Sequence, residues 1–159
     1  MNQKIDFFLP AGDEKTAEEL GRQLSCSPAI RVIHQVNIEN LPSSKSMLTI
    51  ADIAQADYAA LLVKHTHIVL GEGALERMAR VADDADAAMV YADRMEKKAK
   101  KEEKGETWSM EKHPAIDYQP GAIRDDFDFG ALLLIRTSLL KQWAEEQADS
   151  DYLYAGLYD

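Results

Sequence analysis

Residues 57–95, DYAALLVKHTHIVLGEGALERMARVADDADAAMVYADRM, hold three consecutive elements in one reading frame. Tyr58 to Val63 is an apolar run of strand length. Leu75, Met78, Ala79 and Ala82 recur at i, i+3, i+4 and i+7, one face of an amphipathic helix, with Gly71 and Gly73 as punctuation before it. Met89, Val90 and Tyr91 form a second short apolar run. Two strands joined by a helix of this length lie parallel only through a crossover connection, so the stretch reads as a βαβ unit and the chain as α/β. Ligands of open α/β sheets sit at the carboxyl ends of the strands. Those ends carry Lys64, His65, Thr66 and His67 after one strand and Asp93 after the other.

The remainder of the chain extends the same alternation. Ile5 to Leu9 is an apolar and aromatic strand stopped by Pro10, Ala11, Gly12 and Asp13. Asp13, or Thr16 with Glu19, is placed to start a helix whose apolar stripe is Ala17, Leu20, Gly21 and Leu24. A strand, a loop and a helix N-terminus in this order can hold a phosphate through backbone N–H groups, although one glycine is no fingerprint and Gly12 also reads as a turn former. Ile30 to Val36 is a second strand, and residues 37–46 are a polar loop. Met47 to Ile50 reads as a short further strand and Ile53 to Tyr58 as a helical turn. The run RMEKKAKKEEKGET after Asp93 has mixed charge and no apolar stripe, so residues 94–106 are expected to be a mobile charged loop. Trp108 to His113 reads as an edge strand. Ala131 to Ile135 is a buried strand, and Ser138 to Gln147 a helix with Leu139, Leu140 and Trp143 inward. Arg124, Asp125, Asp126 and Asp128 crowd the entry to that last strand, where unpaired burial would be costly, so they face a solvated cleft or pair with one another.

Bulk properties set the limits. A chain of 159 residues suits one domain with its own core. A formal net charge of −10 opposes binding to nucleic acid or to an anionic membrane. No apolar run approaches the ~20 residues needed to cross a bilayer and no signal peptide is visible, so the expected location is cytoplasmic. Cys26 is the single cysteine, which excludes an internal disulfide, and it reads as a small partly buried side chain. Asp128, Phe129 and Gly130 spell the kinase metal motif, but the glycine-rich loop and catalytic-loop signature that should precede it are missing. His65 and His67 would need two further ligands to hold zinc, and a surface pair is the simpler account.

Four stretches resemble a known family. FFLPAGDEKTAEEL, residues 7–20, is similar to the opening strand, proline-containing loop and helix of the GT-A fold glycosyltransferases, nearest to the family 2 inverting enzymes. YAALLVKHTHIVLGEGALERM, residues 58–78, resembles the stretch that holds their metal-binding DxD motif. AAMVYAD, residues 87–93, resembles the following strand, and HPAIDYQPGAIRDDFDFGALLLIRTSLL, residues 113–140, the acceptor-side loop and next core strand.

The resemblance implies a three-layer α/β/α sandwich with a mostly parallel central sheet in a single domain over 1–159, shortened at its C-terminus relative to such enzymes. It implies transfer of a sugar from a nucleotide-diphosphate sugar to a hydroxyl of a glycan or lipid-linked acceptor, as in bacterial-type polysaccharide synthesis. Such transfer needs a general base and a counter-charge for the departing diphosphate. Asp128 or Asp126 would be the base, Lys64 or Arg124 the counter-charge. Pro10, Gly12, Asp13, Asn37, Thr66 and Asp93 would complete the donor site. Mg²⁺ or Mn²⁺ is the family's usual bridge, yet Lys64, His65 and Thr66 stand where its DxD would be, and a lysine ammonium could neutralise the diphosphate without metal. The other reading is a non-catalytic nucleotide-sugar-like binding or assembly domain with a degenerate DxD.

Overall fold

A computed structural model describes residues 4–12, 14–36, 43–64, 66–102, 105–116, 121 and 127–147. The elements in chain order are β1 (Ile5–Pro10), α1 (Glu14–Ser25), β2 (Ile30–Val36), α2 (Ser44–Ile53), β3 (Tyr58–Leu62), α3 (Ala74–Asp84), β4 (Met89–Val90), β5 (Arg94–Glu102), β6 (Gly105–His113), β7 (Leu132–Arg136) and α4 (Thr137–Glu146). Among the described residues two sheets are formed: one of five strands in the order β2-β1-β3-β7-β4, and a separate two-stranded ribbon of β5 and β6.

Alternation along the strands splits the core in two. Ile5, Phe7 and Leu9 of β1 point to one face with Leu20 and Leu24 of α1 and Leu75, Met78, Ala79 and Ala82 of α3. Phe8 points to the other, with Met47, Ile50 and Ala51 of α2 and Leu140 of α4. Helices therefore cover both faces, which is why β1 and β3 are buried at every position; YAALL of β3 reads as an unbroken apolar run, while IDFFLP of β1 is interrupted by the buried Asp6. The four residues picked from the helical period in α3 are the four it buries.

The central segment is not a simple βαβ unit. β1 pairs in parallel with β2 and with β3, but β3 and β4 are not neighbours, because β7 lies between them and pairs antiparallel with both. β3 and β4 thus run the same way with a reversed strand inserted. The sheet is mixed, four strands in one direction and one against them. β4 is only half-buried.

Other expectations need correction. Met47 to Ile50 is helical and belongs to α2, which ends at Ile53 where a helical turn was expected to begin. The spacing of Met47, Ile50 and Ala51 is the helical one, and Ser43 caps the helix: its Oγ accepts from the Ser46 N–H at 3.3 Å. Ser43→Ala should lower the unfolding free energy by about 1 kcal/mol, seen as a lower urea midpoint at unchanged slope; an unchanged midpoint would show that the cap is dispensable. Leu139 turns outward on α4, 41% exposed, while Leu140 is buried and Trp143 half-buried. Residues 94–102, expected to be loop, are strand β5, and β6 pairs with it rather than with the edge of the main sheet. The ribbon pairs nine residues of β5 with nine of β6, and the Lys98–Glu111 and His113–Glu96 contacts cross it. Cys26 is exposed rather than partly buried.

Candidate functional site

Reversal of β7 decides where the charged residues meet. β1, β2, β3 and β4 end at the same edge of the sheet, and the antiparallel β7 begins there, so residues 127–131 arrive at the carboxyl ends of the parallel strands. Lys64 follows β3, Arg94 opens β5 after β4, and Asp128 precedes β7. Asp128 accepts from Lys64 Nζ at 2.6 Å through Oδ1 and from Arg94 Nη2 at 2.8 Å through Oδ2. The Gly130 N–H donates to the same Oδ1 at 2.9 Å. Three distant stretches of chain are thereby tied to one carboxylate.

Lys64 leads the reasons why the Asp128 carboxyl sits below the usual aspartate range: its hydrogen bond outweighs a partial burial that acts the other way, and the Gly130 N–H adds to it. Arg94 also reaches Glu96, Nε to Oε1 at 2.8 Å, so its fork is divided between two carboxylates. Gly130 has φ +96°, and a Cβ there would stand 3.7 Å from the Arg94 side chain. The strain of a side chain at that φ, rather than lack of space, favours glycine in the turn that presents Asp128.

A cavity of about 300 Å³ opens beside this cluster. Tyr91, Phe127 and Phe129 form part of its wall, with Phe129 edge-on to Phe127 at 4.6 Å and to Tyr91 at 4.9 Å between centroids. Across it stand Glu111 and His113 from β6. His113 Nε2 lies 3.3 Å from Glu96 Oε2. An apolar wall with a few convergent polar groups is the usual form of a small-molecule site.

The structure brings only some of the expected site residues together. Lys64 and Asp128 are in direct contact, and Pro10 ends the strand beside β3. Gly12 has φ +119° and lies in the turn that follows, where the Ala11 N–H donates to Val36 at 2.9 Å. Thr66 is exposed, its N–H donating to the Lys64 carbonyl at 2.9 Å. Asp93 is engaged elsewhere: its Oδ1 accepts from the Ala115 N–H at 2.6 Å, while the Tyr91 hydroxyl donates to the Ile116 carbonyl, so both brace the loop that edges the cavity. Asp13, Asn37, Arg124 and Asp126 lie outside the described residues.

Sequence reasoning missed Arg94, Glu96 and His113 as site residues because all three were absorbed into a charged stretch or an edge strand. Arg94 did carry a signal, standing directly after the strand-end Asp93.

The residues fit a divalent metal poorly. Among the described residues no group of three or more His, Cys, Asp and Glu could hold one, and the carboxylate nearest the DxD position is already taken by two cations. No helix among the described residues is long and apolar enough to cross a membrane. No protein-family model matches the chain, and no curated protein matches it.

Proposed function

We propose that the carboxyl edge of the main sheet binds a nucleotide-diphosphate sugar and that the protein takes part in inverting transfer of the sugar to an acceptor hydroxyl. The observation that carries this reading is the convergence of Lys64, Arg94 and Asp128 from three strand ends beside a cavity with an aromatic wall. Two cations and one carboxylate are what such a transfer asks of the protein. The diphosphate draws Lys64 and Arg94 onto its oxygens. Asp128, relieved of both, binds a proton more tightly and accepts it from the acceptor hydroxyl. The hydroxyl oxygen attacks the anomeric carbon, the bond from that carbon to the phosphate oxygen breaks, and the nucleoside diphosphate leaves against the two cations.

Donor binding on this reading depends on Lys64 and little on metal. A charge-assisted contact from lysine to phosphate contributes about 1.5–3 kcal/mol, so Lys64→Ala should weaken binding of UDP or GDP roughly ten- to a hundredfold, with EDTA changing little. Calorimetric titration of both nucleotides checks it. Binding abolished by EDTA and indifferent to Lys64→Ala would overturn the metal-independent site, and failure of a folded sample to bind either nucleotide would remove the donor-site reading.

One observation favours the non-catalytic alternative. Asp128 is held by two cations and a backbone N–H, as a structural clamp would be. Nucleotide binding with no release of sugar from any nucleotide-sugar donor, with or without acceptor, would select that alternative.

A further inference from the structure

The β5–β6 ribbon carries two chemically different faces. Its register pairs Met95 with Lys112, Lys97 with Met110 and Ala99 with Trp108, and side chains of paired residues share a face. The alternate pairs, Arg94 with His113, Glu96 with Glu111 and Lys98 with Ser109, share the opposite one. On that second face charge is matched internally. Arg94 bonds Glu96, Lys98 pairs with Glu111, and His113 lies against Glu96.

The first face is different. Met95, Trp108 and Met110 are 55%, 57% and 58% exposed, an unusual density of large apolar surface on one short ribbon. Lys97 and Lys112 have no carboxylate partner among the described residues. Each stands opposite a methionine, and the Lys97 ammonium lies 4.4 Å from the centroid of the Trp108 ring. Residues 94–113 hold seven of the chain's 18 lysines and arginines against five of its 28 acidic residues, a local excess of two positive charges in a protein whose net charge is −10.

We propose that this face docks on an anionic lipid surface, with Trp108, Met95 and Met110 entering the headgroup region and Lys97 and Lys112 meeting lipid phosphates. The proposal stands apart from the glycosyl-transfer reading. An amphipathic tryptophan beside thioether side chains suits the boundary between headgroups and acyl chains. Lys97 and Lys112, on the same face and without a carboxylate partner among the described residues, supply charge complementarity. The net negative charge of the whole chain acts against such binding, but its reach is limited. Fields are screened over about 8–10 Å at physiological salt, and Lys97, Met110 and Trp108 stand three to five residues out from the Arg94–His113 base, roughly 10–17 Å along the ribbon, so this part of the face meets a surface with much of the body's charge screened. The ribbon's base is Arg94 and His113, so docking would hold the cavity near the lipid. A single aromatic with two methionines is poorly suited to a run of stacked bases, which sets single-stranded nucleic acid below lipid.

The test uses the full chain with Trp143→Phe, which leaves Trp108 as its one tryptophan, and vesicles of phosphatidylglycerol mixed with phosphatidylcholine or of phosphatidylcholine alone. Expected are co-sedimentation and a blue shift of Trp108 emission with the anionic vesicles only. Lys97→Gln and Lys112→Gln should each weaken partitioning about fivefold. Trp108→Ser should abolish it, with circular dichroism unchanged because the side chain is exposed. Absence of binding to the anionic vesicles, or binding that survives the three substitutions together, overturns the proposal. So does a concentration-dependent dimer that Trp108→Ser dissolves in place of vesicle binding, or retention of poly(U) where vesicles are not retained.

Discussion

Arg31→Met should lower the unfolding free energy by about 3–5 kcal/mol near neutral pH, the cost of leaving a buried carboxylate without its cation. Asp6 is fully buried on β1. Arg31 Nε and Nη2 each donate to it at 2.7 Å in a bidentate fork, and the backbone N–H groups of Gln55 and Ala56 donate at 2.7 and 2.9 Å. One side chain thus joins β1, β2 and the connection between α2 and β3. Burial is the largest influence on the Asp6 carboxyl and pushes its proton affinity up. The Arg31 hydrogen bond and the two backbone donors together more than reverse it, leaving the group below the ordinary aspartate value.

The sign of the pH dependence follows. As pH falls, the unfolded chain takes up the Asp6 proton first, near the ordinary value of about 4. The stability this group contributes is therefore complete above about pH 4 and is lost as pH falls through its lower folded value. Without Arg31, burial dominates, the folded carboxyl moves up, and this part of the acid limb flattens or reverses. Urea denaturation of both proteins from neutral to acid pH reads both effects. Equal midpoints, or parallel acid limbs, would show that the backbone donors alone support Asp6.

Leu134→Ala should destabilise by about 2–5 kcal/mol, the range for a buried leucine that leaves a cavity. Leu134 is fully buried and lies in register with Ala60 of β3 on one side and Val90 of β4 on the other. It packs in the cluster that includes Leu75 and Met78 of α3. Alanine opposite it offers little bulk to collapse into the void. For a chain of this size the loss corresponds to roughly 5–15 °C in Tm, whereas Leu134→Met should cost less than about 1.5 kcal/mol. Thermal unfolding followed by circular dichroism distinguishes them. A Tm for Leu134→Ala within a degree or so of the parent would mean that β7 contributes little to the core. Asp128 depends on β7 for its position, so loss of that strand's packing should also loosen the contact with Lys64.

Much of the architecture was legible because the sheet is covered on both faces. Ile5 to Leu9 and Tyr58 to Val63 appear as largely apolar runs of strand length and Ile30 to Val36 as an alternating one, and the three strands they mark lie side by side, so their carboxyl ends adjoin as expected of an α/β sheet. Leu75, Met78, Ala79 and Ala82 give α3 because its one buried stripe imposes the 3.6-residue period. Met47 to Ile50 failed on length: four residues of a helix whose outer face is polar look like a short strand until the Ser43 cap is recognised. The ribbon failed because RMEKKAKKE is mostly charged and the large apolar side chains Met95, Trp108 and Met110 stay exposed, so no buried face imposes a period to read.

The sequence by itself determined that this is an α/β chain, that β1, β3 and the inner stripe of α3 are buried, and that Lys64 stands at a strand end. What it could not carry is direction and adjacency. Nothing in LLLIR tells whether a buried strand runs with its neighbours or against them, since side chains alternate identically either way. Only the tertiary structure reversed β7, seated it between β3 and β4, and so brought Asp128 from 64 residues along the chain to within 2.6 Å of Lys64, with Arg94 on the other carboxylate oxygen. Such a cluster is made by strand order, and strand order is settled by how the apolar faces of the sheet's strands and of the helices on both its sides pack at once, which no local stretch of residues records.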